Sequence, residues 1–425
     1  MATQSKAFKL RIYPNKEQKE YLDNCFRCSN FIFNYFLNQQ EEITNILKFY
    51  GFTKDEIKIQ RKEQNLYFNR FDASKLVTQL KKEDKYSFLR VVDSTSTTYT
   101  LKALEKAFDG IHKQGGGYPK YKKMGVNDSF TGQIMYEKEK CKFLKFEPNK
   151  IWNYISLPKL KGLKTKVHYK ELLSINNIKY DSYTISKNSL NHYYISFGCR
   201  LTIPEVTQRD ISEEKSLGID FGVERPITTS DESDFNNKLY SDRFDLIKDK
   251  KDELKRLQQI LAKKKQNNPN WKKSNKYKRI KLKISKLHDT IANIRSDRQH
   301  NITKSIVNSG YDTIVIEDLK VKNMMARSAK GKSNNKSGLN RVMSDVGIGE
   351  MVRQLEYKAS WLGKNVVKVD PKYTSQECNN CGHISKDNRV SQDKFKCVNC
   401  GHTDNADLNA AKNIKEKYFK KNLVN

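Results

Sequence analysis

The chain opens on an alternation. Residues 6–12, Lys-Ala-Phe-Lys-Leu-Arg-Ile, set apolar and basic side chains in turn, which predicts a strand with one basic face, ended by Pro14. From 16 to 48 the spacing becomes helical, with Leu22, Phe26, Phe31, Phe33, Phe36 and Leu37 as apolar positions. Helical patterns resume at 72–82 and 93–112, and the glycines at 115–117 stop them. Residues 15–112 therefore read as an α-helical domain. Between 127 and 205 short alternating segments take over, such as Tyr154-Ile155-Ser156-Leu157 and Tyr193-Tyr194-Ile195-Ser196-Phe197. These read as a small β domain that the first strand can join, with the helices inserted between.

Residues 216–222, Ser-Leu-Gly-Ile-Asp-Phe-Gly, begin a third texture: strand, strand, long helices, strand, helix, strand, a cysteine segment and a last helix. That alternation argues for an α/β domain. Leu254, Leu257 and Leu261, then Ile280, Ile284, Leu287, Ile291 and Ile294, recur every three or four residues, which predicts a helical hairpin over 246–300 with a packed seam. Residues 324–344 are basic, small and polar and predict a flexible loop. A helix follows, with Ile348, Val352, Leu355, Ala359 and Leu362 on one stripe and Gly363 as its stop, and then a strand at 365–369.

Charge sharpens this picture. The 425 residues hold 81 Lys+Arg against 49 Asp+Glu, a net charge of +32. So large an excess repels itself in a folded chain, and a polyanion is the natural partner, ahead of mere solubility or an acidic protein. The hairpin concentrates the excess, with 18 Lys/Arg against 5 Asp/Glu over 246–300, so its outer face suits phosphates better than a mixed, merely solvated face would. No apolar run approaches the ~20 residues of a membrane span. The N-terminus lacks the apolar core of a secretory signal, which predicts an intracellular protein.

Of eight cysteines, four fall as Cys378-x2-Cys381 and Cys397-x2-Cys400. Each pair makes a knuckle that points two thiolates at one cation, and Gly382 and Gly401 follow where the turn needs a small residue. Four thiolates suit a closed, structural Zn²⁺ site; an iron–sulfur cluster or free thiols are the alternatives. His383 and His402 flank the knuckles as substitute ligands, bystanders or phosphate contacts. Cys25-x2-Cys28 has no second pair nearby and reads as two core thiols, while Cys141 and Cys199 are scattered.

Three carboxylates stand at element ends. Asp220 closes the run Leu217-Gly218-Ile219, Glu317 closes Ile314-Val315-Ile316, and Asp407 opens the helical stretch 407–420. Each alone is an ordinary cap or surface charge. Brought to one sheet edge they would repel unless cations neutralise them, and two Mg²⁺ ions ~4 Å apart would serve phosphodiester hydrolysis. Spacing alone does not decide whether they converge. Tyr118-Pro119-Lys120-Tyr121-Lys122-Lys123 interleaves aromatic and basic residues, which suits bases and phosphates and equally suits tyrosines packed into a core.

Here a resemblance enters. Leu217-Gly218-Ile219-Asp220-Phe221-Gly222 and Val315-Ile316-Glu317-Asp318-Leu319 resemble the first two motifs of a RuvC-type nuclease core. The run from Val369-Asp370-Pro371-Lys372-Tyr373-Thr374 through the knuckles to Asn405-Ala406-Asp407-Leu408-Asn409-Ala410-Ala411-Lys412-Asn413 resembles the C-terminal signature of TnpB, the transposon-encoded RNA-guided nuclease. Fanzor proteins are its eukaryotic and viral relatives, and type V effectors its CRISPR descendants. Gln354-Leu355-Glu356-Tyr357-Lys358-Ala359, Gly117-Tyr118-Pro119-Lys120-Tyr121-Lys122 and Tyr13-Pro14-Asn15 are similar to the family too.

The resemblance implies a multidomain α+β protein. Its parts would be a wedge strand (1–13), an α-helical recognition lobe (14–124), a wedge β-barrel (125–210), and an α/β RNase H-like (RuvC) nuclease domain. The nuclease domain would run over 211–375, take a zinc-ribbon target-nucleic-acid-binding module at 376–404, and finish at 405–425. Asp220, Glu317 and Asp407 would hold Mg²⁺ and cut; Cys378, Cys381, Cys397 and Cys400 would hold Zn²⁺. Lys75 and Gln79, at i and i+4, would lie where the family reads its target-adjacent DNA motif. Glu317 rather than Asp318 would face the metal, since strand alternation separates them, and Asn405 departs from the acid many relatives carry. The partners would be a guide RNA and target double-stranded DNA, with a monomer favoured, in bacterial cytoplasm or nucleoid, or in the nucleus for a eukaryotic or viral relative. Competing readings are a nuclease-inactive RNA-guided regulator and a guide-free RuvC-like transposase or resolvase.

Overall fold

The structure, a computed structural model, describes residues 2–422 apart from 115–116, 135, 138–139, 142–143, 146–151, 167–177, 204–210, 223–224, 234, 236, 267–269, 272–273 and 327–332. The chain divides into two units, Met1–Glu205 and Val206–Asn425.

In the first unit, β1 (Ala2–Tyr13) leads into α1 (Lys16–Phe49). Asn15 caps the turn between them: its Oδ1 accepts from the Gln18 peptide N–H (2.8 Å), while its own N–H donates to Gln18 Oε1 (2.9 Å). Helices α2 (Lys54–Glu63), α3 (Arg70–Leu80) and α4 (Ser94–Gln114) follow, with a 3₁₀ segment at Asp84–Val91. The strands come next: β2 (Asp128–Gln133), the two-residue β3 (Tyr136–Glu137), β4 (Lys140–Cys141) and β5 (Leu144–Lys145), then β6 (Trp152–Leu157), β7 (Leu160–Lys166), β8 (Ile178–Lys187) and β9 (Tyr193–Ile203). β3 and β4 pair with each other, and the rest form with β1 an antiparallel sheet ordered β2-β8-β9-β1-β7-β6-β5. The N-terminal strand therefore lies inside the β domain, with the helices inserted, as its alternation suggests. Among the described residues no pairing joins β2 to β5, and part of the stretch that would carry the expected barrel closure, 146–151 and 167–177, lies outside the described residues.

Helix α1 serves two cores because its apolar residues lie on two sides. Leu22, Cys25 and Phe26 pack with the inward sheet residues Phe8, Leu10, Ile12, Ile155, Leu163 and Ile195. One turn on, Cys28, Ile32, Phe36 and Leu37 pack with Val77, Leu80, Leu101 and Leu104. Cys25 and Cys28 are thus core thiols, and burial pushes them up to about 12 and about 11.

The second unit holds a four-stranded sheet ordered β11-β10-β12-β13. Its strands are β10 (Ser216–Asp220), β11 (Thr228–Thr229), β12 (Thr313–Glu317) and β13 (Asn365–Val369). β10, β12 and β13 run parallel, and β11 is antiparallel. Four successive residues of both β10 and β12 are buried, as expected for strands covered on two faces. Between β11 and β12 stand α5 (Asn237–Gln266) and α6 (Asn275–Val307), the expected hairpin. Its seam holds, with Leu257, Leu287 and Ile291 buried.

Residues 324–344 depart from the expected loop. After α7 (Val321–Met324), a helix α8 runs Ser333–Val346, while 327–332 lie outside the described residues. Apolar Leu339, Val342, Met343 and Val346 already hold helical spacing behind the polar front, and Met343 and Val346 are buried in the core. Asp345 accepts from Lys251 of α5 and Arg295 of α6, which ties the hairpin to α8. Gly347, at φ 70°, then turns the chain into α9 (Ile348–Trp361). Its stripe Ile348, Leu355 and Ala359 is buried, and Leu362, past the last turn, is exposed. The last helix, α10 (Ala406–Asn422), lies against β10.

Candidate active site

Parallel pairing sets Ile219 opposite Ile316, so Asp220 and Glu317 leave adjacent strands at the same edge. Asp407 enters from the first turn of α10. Gly218 makes that approach possible: a Cβ there would collide with the Ala411 carbonyl and lie 2.8 Å from Lys415 Cβ. Gly222 admits the turn beside the site, for a Cβ there would collide with the Arg225 carbonyl, while Asp407 Oδ2 would be in ordinary contact at 3.8 Å. The carboxylates that spacing could not unite are brought together, and their titration reflects it. Burial, then the charges of Glu317 and Asp407, push Asp220 up to about 7, against the pull of Arg389. Burial also raises Glu317 and Asp407.

Two of the three carboxylates have side-chain partners. Thr374 Oγ1 donates to Glu317 Oε1 at 2.6 Å. Arg389 Nη2 lies 3.3 Å from Asp407 Oδ1. Asn405 Oδ1 accepts from the Asp407 and Leu408 peptides at 3.0 and 3.1 Å, so the residue that departs from an acid caps the helix that carries Asp407. Asp318 points elsewhere and pairs with Lys320 at 2.5 Å.

The four cysteine sulfurs lie within 4.8 Å of one another. Cys378 Sγ and Cys400 Sγ are 3.8 Å apart, and Cys381 Sγ and Cys397 Sγ 3.6 Å. A tetrahedron with Zn–S bonds of about 2.3 Å has sulfurs ~3.8 Å apart, so the donor set fits zinc. Gly382 (φ 73°) and Gly401 (φ 74°) supply the left-handed turns. Asn380 and Asn399 amides lie 3.8 Å from Cys400 and Cys381 Sγ, and the His402 peptide N–H first among several donors draws Cys400 down to about 6. Asn388, wholly buried, donates to the Gln376 and His383 carbonyls and accepts from the Val398 peptide. The zinc segment is in turn fastened to α10, where Asn409 and Asn413 both donate to the Glu377 carbonyl (2.8 and 2.7 Å). Asn413 also donates to the Thr374 carbonyl (2.9 Å), so one helix positions Asp407, Thr374 and the knuckles together.

The other candidates lie in the first unit. Lys75 and Gln79 share an exposed face of α3, with Lys75 3.2 Å from Asp72. Tyr118 sets its ring against Phe108, and Lys120 is exposed. Tyr121 donates to Glu41 at 2.6 Å. Lys122 lies over the Phe33 ring at 4.4 Å, with its backbone paired to Asn34. The loop is thus docked on α1, with Lys120 and Lys123 its outward charges. Thr374, Arg389, Asn409 and Asn413 carry no chemical signature by type, and only the fold reveals their work. Gln354, wholly buried, accepts from Thr303 at 2.8 Å and ties α9 to α6.

Comparison with known proteins places this architecture. Residues 200–328 match the IS605 OrfB family, described as "Probable transposase", and 349–414 match "Cas12f1-like, TNB domain". Residues 1–45 match "Helix-turn-helix domain", although here they form β1 and most of one unbroken helix. The chain is 32% identical over 417 residues to "Putative RNA-guided DNA endonuclease InsQ" of Escherichia coli (strain K12), covering 96% of this chain and 91% of that one. This chain belongs to the TnpB family. A viral relative, "TnpB-like protein L79" of Acanthamoeba polyphaga mimivirus, is 29% identical over 235 residues, 54% of this chain and 42% of that one. A solved Cas12f1-sgRNA-target DNA complex aligns over 97% of this chain and 99% of that one at 14% identity and a TM-score of 0.46. Among the described residues no helix is long and apolar enough to cross a membrane.

Proposed function

We propose that this chain is an RNA-guided DNA endonuclease of a transposable element. It holds a guide RNA, reads a short motif beside the target, and cuts both DNA strands by RuvC-type hydrolysis at Asp220, Glu317 and Asp407. The observation that carries this is the meeting of three carboxylates, one of them pushed up to about 7, at one edge of the sheet of a strongly basic TnpB-family protein. In this reading the helices of the first unit are the recognition lobe, its sheet the wedge, and 376–404 the zinc-bearing module that admits single-stranded DNA. The α5–α6 hairpin offers its basic outer face to the guide–target duplex, whose sequence is read by base pairing rather than by the protein.

Asp220, Glu317 and Asp407 would hold divalent cations, whose charge would offset that of the partly buried carboxylates at one edge. Mg²⁺, when bound, supplies the charge that activates a water and eases departure of the leaving oxygen. The protein's own residues provide position. β10 and β12 hold Asp220 and Glu317 on one sheet, Thr374 fixes one oxygen of Glu317, and Arg389 steadies Asp407. At neutral pH a proton competes for Asp220, so cation binding strengthens as pH rises through about 7.

Asp220→Ala should abolish cleavage, by at least a thousandfold in single turnover, and leave RNA binding within about twofold. Protein purified from cells carrying its native locus should bring down one abundant RNA ending in a variable segment. That RNA, with Mg²⁺ and a library randomised beside the target, should yield cuts that depend on a fixed motif. Unchanged cutting by the Asp220→Ala variant would end the assignment.

A further inference from the structure

The outer face of the seven-stranded sheet carries a pattern that the carboxylate chemistry does not use. Strand alternation turns Arg11 and Tyr13 of β1, Trp152 and Tyr154 of β6, and Lys164 and Lys166 of β7 away from the core. The residues next to them in sequence, Ile12, Ile155 and Leu163, fill that core, so packing already has its share of these strands. Register sets the outward residues in rows. Tyr13 lies opposite Lys164, Lys164 opposite Tyr154, and Lys166 opposite Trp152. Rings and cations alternate from strand to strand.

Contacts follow the rows. Lys164 and Lys166 Nζ stand 4.2 and 4.6 Å from the Trp152 ring centre. Tyr13 meets Trp152 edge to face at 5.1 Å, and Arg11 lies over Tyr13 at 5.2 Å. Lys9 extends the row onto Tyr194 of β9 at 4.5 Å. β1, β6, β7 and β9 contain no Asp or Glu, and the single acid of β8, Asp181, is held by Arg200 at 2.5 Å. The rings are reachable, with Tyr13 36% and Tyr154 54% exposed.

We propose that this face is a stacking platform for unpaired nucleotides, with Trp152 and Tyr154 as its base-stacking rings and Arg11, Lys164 and Lys166 as its phosphate contacts. A duplex shows a sheet only its phosphates and sugars, for which lysines suffice. Exposed rings on a basic face, where Asp181 is already paired with Arg200, suit splayed bases, whose flat faces stack on aromatics while the backbone follows the cations. The platform rests on the reading that this chain holds nucleic acid. Unpaired guide RNA and displaced DNA share the chemistry, so the test offers both.

The chain has three tryptophans. In full-length protein carrying Trp271→Phe and Trp361→Phe, Trp152 is the one indole left to report. Oligouridine of roughly a dozen nucleotides, oligodeoxythymidine of equal length and duplex RNA are titrated separately. Single strands should quench Trp152, and duplex RNA at equal phosphate should leave it bright. Tyr154→Ala, an exposed change that the fold tolerates, should weaken single-strand affinity about tenfold at every salt concentration. Lys164→Gln should instead shallow the salt dependence by about one unit of slope. In the full-length chain, Trp152→Phe should retain single-strand affinity where Trp152→Ala loses it. Stronger quenching by oligouridine assigns the platform to the guide, and by oligodeoxythymidine to displaced DNA. Equal quenching by duplex, or a Tyr154→Ala variant that binds like its parent, overturns the platform. If a defined RNA co-purifies while no single strand quenches Trp152, the platform falls and the guided reading stands. If single strands quench Trp152 and no defined RNA co-purifies, the platform stands and the guided reading falls.

Discussion

Asp220 is the residue whose surroundings set the working conditions of the site. Its carboxyl is partly buried beside Glu317 and Asp407, and ionising it is costly until a cation arrives. The consequence for stability has a definite sign. A carboxyl raised from its ordinary value near 4 to about 7 binds a proton more tightly in the folded chain than in the unfolded one. Its stabilising share is therefore complete below pH ~4 and lost as pH rises through about 7. Asp220→Asn, which cannot ionise, should melt with wild type at pH 4 and several degrees above it at pH 8, in buffer free of Mg²⁺ and of chelators. Saturating Mg²⁺ should reverse the order at pH 8, because only the wild type regains a ligand. Differential scanning calorimetry of the two proteins reads both effects.

Among elements, the decisive contact is that of α10 with β10. Gly218 lets the helix backbone approach the strand, and the approach delivers Asp407 to Asp220. Gly218→Ala should cost about 1–3 kcal/mol through overpacking and lower cleavage more than that loss explains, since Asp407 moves with the helix. Thermal melts beside single-turnover rates separate the two. The zinc segment leans on the same helix through Asn409 and Asn413. Stripping zinc with a strong chelator should open 376–405 to protease and abolish cutting. Added Zn²⁺ should restore both, and Mg²⁺ alone should restore neither; limited proteolysis with mass mapping reports the first. Elsewhere, Asp345 joins Lys251 and Arg295 and so anchors the basic hairpin to α8, a helix whose apolar positions hide among polar neighbours.

For the whole molecule, a net charge of +32 makes association with nucleic acid steeply salt-dependent. Exposed lysines along α6, such as Lys281 and Lys283, add charge without touching the carboxylates. Lys283→Gln should weaken binding equally for matched and mismatched targets and reduce the log–log salt slope by about one, read by anisotropy across a salt series. Specificity should survive, because pairing with the guide carries it.

Much of this protein is legible in the sequence alone, and the reason is locality. The N-terminal alternation, the helical spacing of the hairpin seam, the stripe from Ile348 to Ala359 and the paired CxxC knuckles with their glycines depend on contacts a few residues apart. The motifs around Asp220, Glu317 and Asp407 carry a family likeness for the same reason. Tertiary structure decided what no spacing contains. Parallel register brings residues 220 and 317 to one edge across 97 positions, and a glycine's missing side chain admits the helix that bears Asp407. It decided the partners of Thr374, Arg389, Asn409 and Asn413, whose residue types are common and whose work lies in where they point. It also set rings and cations in rows on the outer sheet face, because cross-strand neighbours come from stretches up to about 150 residues apart, and their order exists only once the sheet has formed.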